Sequence, residues 1–139
     1  MSPTMPATRA APVIYIVDDE ASVRKGFSLL MRSADLPCRA FASAEQFLAE
    51  VDSQQAACVL LDITMPCLTG LQLQKEMKQR KLNLPVIAIS ARDDAETSLL
   101  ARQLGARFFF RKPVDDQALL DAIRWVLEEE RHQPTPNTK

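Results

Sequence analysis

The chain has 139 residues, of which 47% are hydrophobic and 25% are charged, and its formal net charge is −1. This size and composition are typical of one globular domain with an ample core, and the balanced charge argues against a nucleic-acid-binding surface in these residues. No stretch approaches the roughly 18 consecutive apolar residues of a membrane span. Residues 1–12 lack the apolar core of a signal peptide, so we expect a cytoplasmic protein.

Apolar, strand-like runs alternate five times with helical patterns along the chain. They lie between a flexible leader, residues 1–12, and a polar tail or linker stub, residues 132–139. Strands are predicted at 13–17, 38–41, 57–62, 86–89 and 107–110. Helices are predicted after each strand, with the third opening at a Thr69–Gln72 capping box, the fourth spanning about 94–104 and the fifth about 115–131.

The first, third and fourth strands are near-continuous apolar runs rather than alternating ones. That pattern is typical of a parallel sheet whose two faces are both covered by helices. Five successive strand–helix units therefore predict a three-layer α/β fold with right-handed crossovers.

Charged or hydroxyl-bearing residues stand at the ends of four of the five strands. Asp18 and Asp19 follow the first strand, Asp62 ends the third, Ser90 follows the fourth and Lys112 the fifth. Because parallel strands end at one edge of the sheet, where such folds bind ligands, we expect these groups to converge. Three carboxylates, a hydroxyl and an ammonium suit a divalent metal ion and a phosphoryl group.

Four short motifs carry these residues: VDDE at 17–20, LDITMPCLTG at 61–70, ISA at 89–91 and RKP at 111–113. Their order and spacing resemble the receiver (CheY-like) domain of bacterial two-component response regulators, in particular those of the FixJ type. The resemblance implies a flavodoxin-like (βα)5 fold, with a five-stranded parallel sheet of order 2-1-3-4-5 and a receiver domain over residues 13–131.

The resemblance also implies a role for each strand-end residue. Asp62 would be the phosphoacceptor, whose carboxylate takes a phosphoryl group from a sensor histidine kinase. The expected cofactor is Mg²⁺, bound directly by Asp19, Asp62 and the backbone carbonyl of Thr64, and through water by Asp18. Lys112 would pair with a phosphoryl oxygen and offset its charge.

A second set of residues matches the switch of this family. Ser90 would donate its hydroxyl to the phosphoryl group, and the ring of Phe109 would then turn inward. The face formed by the fourth helix, fifth strand and fifth helix would repack, which makes a phosphorylation-dependent homodimer through that face plausible. The bond between Lys112 and Pro113 matches a Lys-Pro bond that is commonly cis in the family.

Three further positions bear on how long the phosphoryl group persists and on how closely the chain follows the family. Thr64 and Arg92, two residues beyond Asp62 and Ser90, occupy positions that modulate acyl-phosphate lifetime in the family. Cys67 departs from the small or acidic residue that is common there.

The predicted function is a signalling module rather than an enzyme, controlling transcription through a DNA-binding domain that these residues do not include. A stand-alone receiver, acting as a phosphorelay or a protein-binding switch, is the alternative. A phosphatase with an aspartyl-phosphate intermediate would need Asp-x-Asp after the first strand, which is absent. A flavin-binding protein would need a glycine-rich phosphate loop where the acidic residues 18–20 stand. We expect no direct contact with nucleic acid or membrane.

Overall fold

The structure is a computed structural model that describes residues 12–52, 56–64, 69–92 and 95–132. Cys67, the predicted helix start at Asp94, and nearly all of the predicted leader and tail lie outside these residues. In chain order, the elements are β1 (Val13–Val17), α1 (Ala21–Ser33), β2 (Cys38–Phe41), α2 (Ala44–Glu50), β3 (Ala56–Asp62), α3 (Gly70–Gln79), β4 (Val86–Ser90), α4 (Ala95–Gln103), β5 (Ala106–Arg111) and α5 (Asp116–His132).

The five strands form one parallel sheet in the order β2-β1-β3-β4-β5, which confirms the predicted fold and strand order. Val17 of β1 is in register with Leu61 of β3. Asp62 is in register with Ile89, and Ser90 with Arg111. The carboxyl ends of β1, β3, β4 and β5 therefore stand side by side at one edge of the sheet.

Helices cover both faces of the sheet, which explains the continuous apolar runs. Successive residues of β1 project to opposite faces: Tyr15 and Val17 pack with residues of α2, α3 and α4. Ile14 and Ile16 pack with residues of α1 and α5. These four of the five β1 side chains are fully buried, so this strand cannot alternate between apolar and polar residues.

The start of α3 is held close to the end of β3. Thr69 and Gln72 form the predicted capping box, in which each side chain accepts a hydrogen bond from the other residue's backbone N–H. Gly70 follows, and a Cβ atom built there would lie 2.3 Å from the Cα of Ile63 and 2.6 Å from the carbonyl oxygen of Asp62. Only glycine allows this approach, so α3 begins directly against the backbone that carries Asp62.

The end of α4 is also marked by a glycine. Gly105 has a φ of 111°, in the left-handed region that side-chain-bearing residues avoid and that commonly ends a helix. None of the helices in the described ranges has the length and apolar character needed to cross a membrane.

Candidate functional site

The strand-end groups lie around the side chain of Lys112. Its Nζ is 3.0 Å from Oδ2 of Asp18 and 3.3 Å from Oδ2 of Asp62. These residues come from the ends of β1, β3 and β5, and they are far apart in sequence. The parallel sheet thus brings an ammonium and two carboxylates, predicted to converge, into direct contact.

The acids differ sharply in exposure. Asp18 and Asp62 retain only 2% and 3% of their accessible surface, whereas Asp19 is exposed. One carboxylate oxygen from each of the three lies within 4.8 Å of the others. Such a cluster of hard oxygen donors, open to solvent on the side of Asp19, is suited to Mg²⁺, which keeps several of its own water ligands.

The charge balance at this site favours a cation. Burial raises the pKa of the Asp18 carboxyl, against the opposing effects of the Glu20 N–H and Lys112. Burial disfavours the charged amine of Lys112, but Asp18, Asp62 and Glu20 outweigh it and hold the pKa of Lys112 above its usual value. One ammonium therefore faces several carboxylates, and a divalent ion would offset the remaining negative charge. The donor set fits Mg²⁺.

Two groups of Thr64 orient the Asp62 carboxylate. The backbone N–H of Thr64 donates to Oδ1 of Asp62 at 2.9 Å, and its hydroxyl donates to the same oxygen at 2.7 Å. Oδ2 faces Lys112 instead. The two carboxylate oxygens therefore have different surroundings. The backbone carbonyl of Thr64 as a metal ligand stays a prediction.

Ser90 is fully buried at the end of β4 and is tied to the segment that carries Lys112. The backbone carbonyl of Ser90 accepts the N–H of Lys112 at 2.8 Å. Its hydroxyl oxygen accepts the N–H of Arg92 at 2.9 Å. Because that bond uses an oxygen lone pair, the O–H remains able to donate. The peptide bond between Lys112 and Pro113 is cis.

Phe109 lies on the same face of the sheet as Ser90. It is in register with Ala88 of β4, and it packs against the core cluster that contains Ala88 and Ala101. Ser90 is two residues beyond Ala88, so its side chain projects to that face too. Phe108 packs on the opposite face. The predicted switch pair therefore shares one side of the sheet, beside α4.

Two neighbours of the acidic cluster had no role assigned from the sequence. Glu20 places Oε1 3.2 Å from Lys112 Nζ, and Arg24 donates from a guanidinium nitrogen to the backbone carbonyl of Asp18 at 2.9 Å. Glu20 carried one available signal, because it belongs to the VDDE motif and precedes a helix where Ser, Thr, Asp or Asn is preferred. Arg24 carried a weak signal, since a cation at the start of a helix opposes the helix macrodipole.

Comparisons with known proteins agree with this geometry. Residues 14–124 match the family model for the response regulator receiver domain. The transcriptional regulatory protein TdiR of Thauera aromatica is 42% identical over 125 residues, covering 88% of this chain and 55% of that protein. The transcriptional regulatory protein FixJ of Azorhizobium caulinodans is 32% identical over 111 residues, covering 80% and 53%.

Solved structures show the same likeness. The structure of response regulator StyR matches with a TM-score of 0.81 and 37% identity, covering 88% of this chain and 63% of that one. The chain spans about half the length of the curated relatives it matches. The family match, the identities and the shared fold confirm the resemblance inferred from the motifs, and the chain belongs to the response regulator receiver domain family.

Proposed function

We propose that this chain is the phosphoacceptor receiver of a two-component system, with Asp62 as the residue that a sensor histidine kinase phosphorylates. One observation carries the proposal: the Lys112 ammonium lies within 3.3 Å of two buried carboxylates, Asp18 and Asp62, which come from separate strands. Burying these charged groups costs desolvation free energy. Binding a phosphoryl group at this position would explain why the charges are retained.

The transfer step follows from these contacts. An oxygen of Asp62 attacks the phosphorus of a phosphohistidine, the phosphorus–nitrogen bond breaks, and its electron pair stays on the imidazole, which takes up a proton. Thr64 keeps the attacking carboxylate oriented through Oδ1. Lys112 pairs with a phosphoryl oxygen, which stabilises charge without reorganisation during the reaction.

Bound Mg²⁺ would offset negative charge on the phosphoryl oxygens. We assign its direct ligands to Asp19, Asp62 and the backbone carbonyl of Thr64, with Asp18 acting through a water molecule. The acidic cluster supports this assignment because its carboxylate oxygens lie within 4.8 Å of one another. The difference in exposure among the three acids also supports this assignment, because the exposed Asp19 stands where a hydrated ion would enter.

The response to phosphorylation is assigned to Ser90 and Phe109. The Ser90 hydroxyl would donate to the phosphoryl group and move inward, and the ring of Phe109 would turn into the space that Ser90 leaves. The face formed by α4, β5 and α5 would then change its packing, which allows dimerisation or partner binding. If phosphorylation favours the second conformation over the first by a few kcal/mol, the population shift is large enough for a useful switch.

The output is proposed to be transcriptional control in the cytoplasm, with residues 13–131 as the receiver. TdiR and FixJ are named transcriptional regulatory proteins, and this chain spans about half of each. A DNA-binding domain outside these residues would therefore carry the output, and a stand-alone phosphorelay or protein-binding switch is the alternative. We propose a phosphoacceptor signalling domain that assists its own phosphorylation and dephosphorylation, rather than a turnover enzyme.

Treatment with acetyl phosphate and Mg²⁺, followed by intact-mass and peptide mass spectrometry, tests the assignment. We expect one phosphoryl group per chain, on Asp62. The Asp62→Asn variant should gain none, whereas Asp121→Asn, which removes an exposed carboxylate on α5, should be labelled like the wild type. Phosphorylation of Asp62→Asn, or steady release of phosphate from simple phosphate monoesters with many turnovers, would contradict the proposal.

A further inference from the structure

Glu20 is the third acid at the Lys112 ammonium, and the function above gives it no role. Its Oε1 lies 3.2 Å from Lys112 Nζ, although the two residues are 92 positions apart in sequence. Its side chain is 59% exposed, whereas that of Lys112 is 17% exposed. The contact therefore joins an exposed surface carboxylate to a largely enclosed cation.

The position of Glu20 in the fold shows that the contact is not a by-product of helix capping. Glu20 is the N-cap residue of α1, and its backbone carbonyl accepts the N–H of Arg24 at 3.0 Å. Its side chain makes no capping hydrogen bond. Short polar residues stabilise this position, and glutamate is not among them. The carboxylate is directed across to the loop after β5 instead.

The Lys112 ammonium has three N–H donors, and three carboxylates surround it at 3.0, 3.2 and 3.3 Å. Its hydrogen bonds go to Glu20 and Asp62, whereas its contact with Asp18 is an ion pair in which Oδ2 accepts no hydrogen bond. An incoming phosphoryl oxygen therefore competes with these carboxylates for the ammonium. Asp18 is buried and accepts the backbone N–H of Glu20 at 2.9 Å, so it is poorly placed to withdraw. Glu20 is 59% exposed and contacts the ammonium through Oε1, so it is the acid best placed to leave.

We propose that Glu20 is a positioning residue for Lys112. It holds the ammonium among the carboxylates before phosphorylation and competes for it with the incoming phosphoryl oxygen, so it slows phosphorylation of Asp62. This inference rests on the proposed function. A partly exposed ion pair has a modest effect, so removing the contact should raise the phosphorylation rate roughly two- to fivefold.

Three variants separate the contact from general charge. Glu20→Gln removes the charge, whereas Glu20→Asp keeps it, shortens the reach and is a better N-cap. If the contact matters, both variants should be phosphorylated faster than the wild type by acetyl phosphate at saturating Mg²⁺. Glu45→Gln, which removes an exposed acid from the first turn of α2, should match the wild-type rate.

A second measurement needs neither Mg²⁺ nor phosphodonor. The ¹H–¹⁵N NMR signal of the Lys112 side-chain ammonium should be protected from solvent exchange in the wild type and in Glu45→Gln, and should exchange faster in both Glu20 variants. A purely structural role for Glu20 would leave this signal unchanged.

The outcomes distinguish this inference from the proposed function. Phosphorylation of the wild type on Asp62, with equal or slower rates in Glu20→Gln and Glu20→Asp, would overturn the role of Glu20 alone. A wild-type rate in Glu20→Asp with a faster rate in Glu20→Gln would also overturn it, because charge rather than contact would then be responsible. No phosphorylation of any of the proteins would overturn both.

Discussion

Two glycine-to-alanine substitutions should have opposite effects, and the difference can be worked out from the packing. At Gly70, a Cβ atom would lie 2.3 Å from the Cα of Ile63, 2.6 Å from the carbonyl oxygen of Asp62 and 2.9 Å from Cγ2 of Ile63. The first two are backbone atoms, which cannot rotate away. At Gly26, within α1, nothing lies within 4 Å of the added atom.

These distances set the expected magnitudes. Gly70→Ala has to separate α3 from the end of β3, and overpacking of this kind costs about 2 kcal/mol of the free energy of unfolding. That loss corresponds to a fall of roughly 6 °C in melting temperature. Gly26→Ala should raise the free energy of unfolding by about 0.5–1 kcal/mol, because alanine favours a helix interior more than glycine does.

Urea denaturation, followed by circular dichroism and by the fluorescence of Trp125, measures both effects. The slope of free energy against urea concentration should stay constant if only the folded packing changes. Because the crowded atoms include the backbone of Asp62, Gly70→Ala should also slow phosphorylation by acetyl phosphate, whereas Gly26→Ala should not. A Gly70→Ala protein as stable as the wild type, or equal losses at both positions, would refute this reasoning.

Three further predictions concern the metal, the buried ammonium and a helix cap. Mg²⁺ at ten times its dissociation constant should raise the free energy of unfolding by about 1.4 kcal/mol. In urea titrations at the same Mg²⁺ concentration, the Asp19→Asn variant should show little of this gain. A gain equal to that of the wild type would argue against Asp19 as a ligand. Because the pKa of Lys112 is raised in the folded protein, the unfolded chain loses this proton first as pH rises. The stabilisation from Lys112 is then present below about pH 10 and declines above it. The difference in free energy of unfolding between the wild type and Lys112→Met should therefore shrink between about pH 9 and about pH 11.5. A difference that stays constant over this range would contradict the contacts of Lys112 with the acids. Thr69→Ala should lower the free energy of unfolding, measured by chemical denaturation, by about 1 kcal/mol, because it removes the cap at the Gln72 N–H. Thr69→Ser keeps a hydroxyl and should retain most of this stability. Equal losses in both variants would contradict the role of the cap.

Much of the fold was predictable because burial leaves a periodic trace in the sequence. Four of the five β1 residues are fully buried, and a strand covered on both faces has to be apolar throughout. The strand ends were equally predictable, since a polar residue after such a run stands at the sheet edge. Once the strands are parallel, Asp18, Asp62 and Lys112 have to end at the same edge, whatever their separation in sequence.

The detailed arrangement of the site was not predictable in this way. Asp18 and Asp19 are adjacent and chemically identical, yet one is buried and the other exposed. Which of them faces inward depends on how β1 turns into α1. No local pattern identifies Lys112 as the partner of Glu20, or Thr64 as the donor of two hydrogen bonds to Asp62.

The sequence by itself therefore determined the order of the elements, the class of fold and the chemical groups available at the sheet edge, because these follow from periodic burial and from the direction of the strands. The tertiary structure alone decided which carboxylate oxygen faces the ammonium, which acid stays in solvent, and that α3 begins in contact with the backbone of Asp62 and Ile63. The physical reason is that a side chain takes its orientation from neighbours contributed by distant segments, and those neighbours exist only after the sheet has formed.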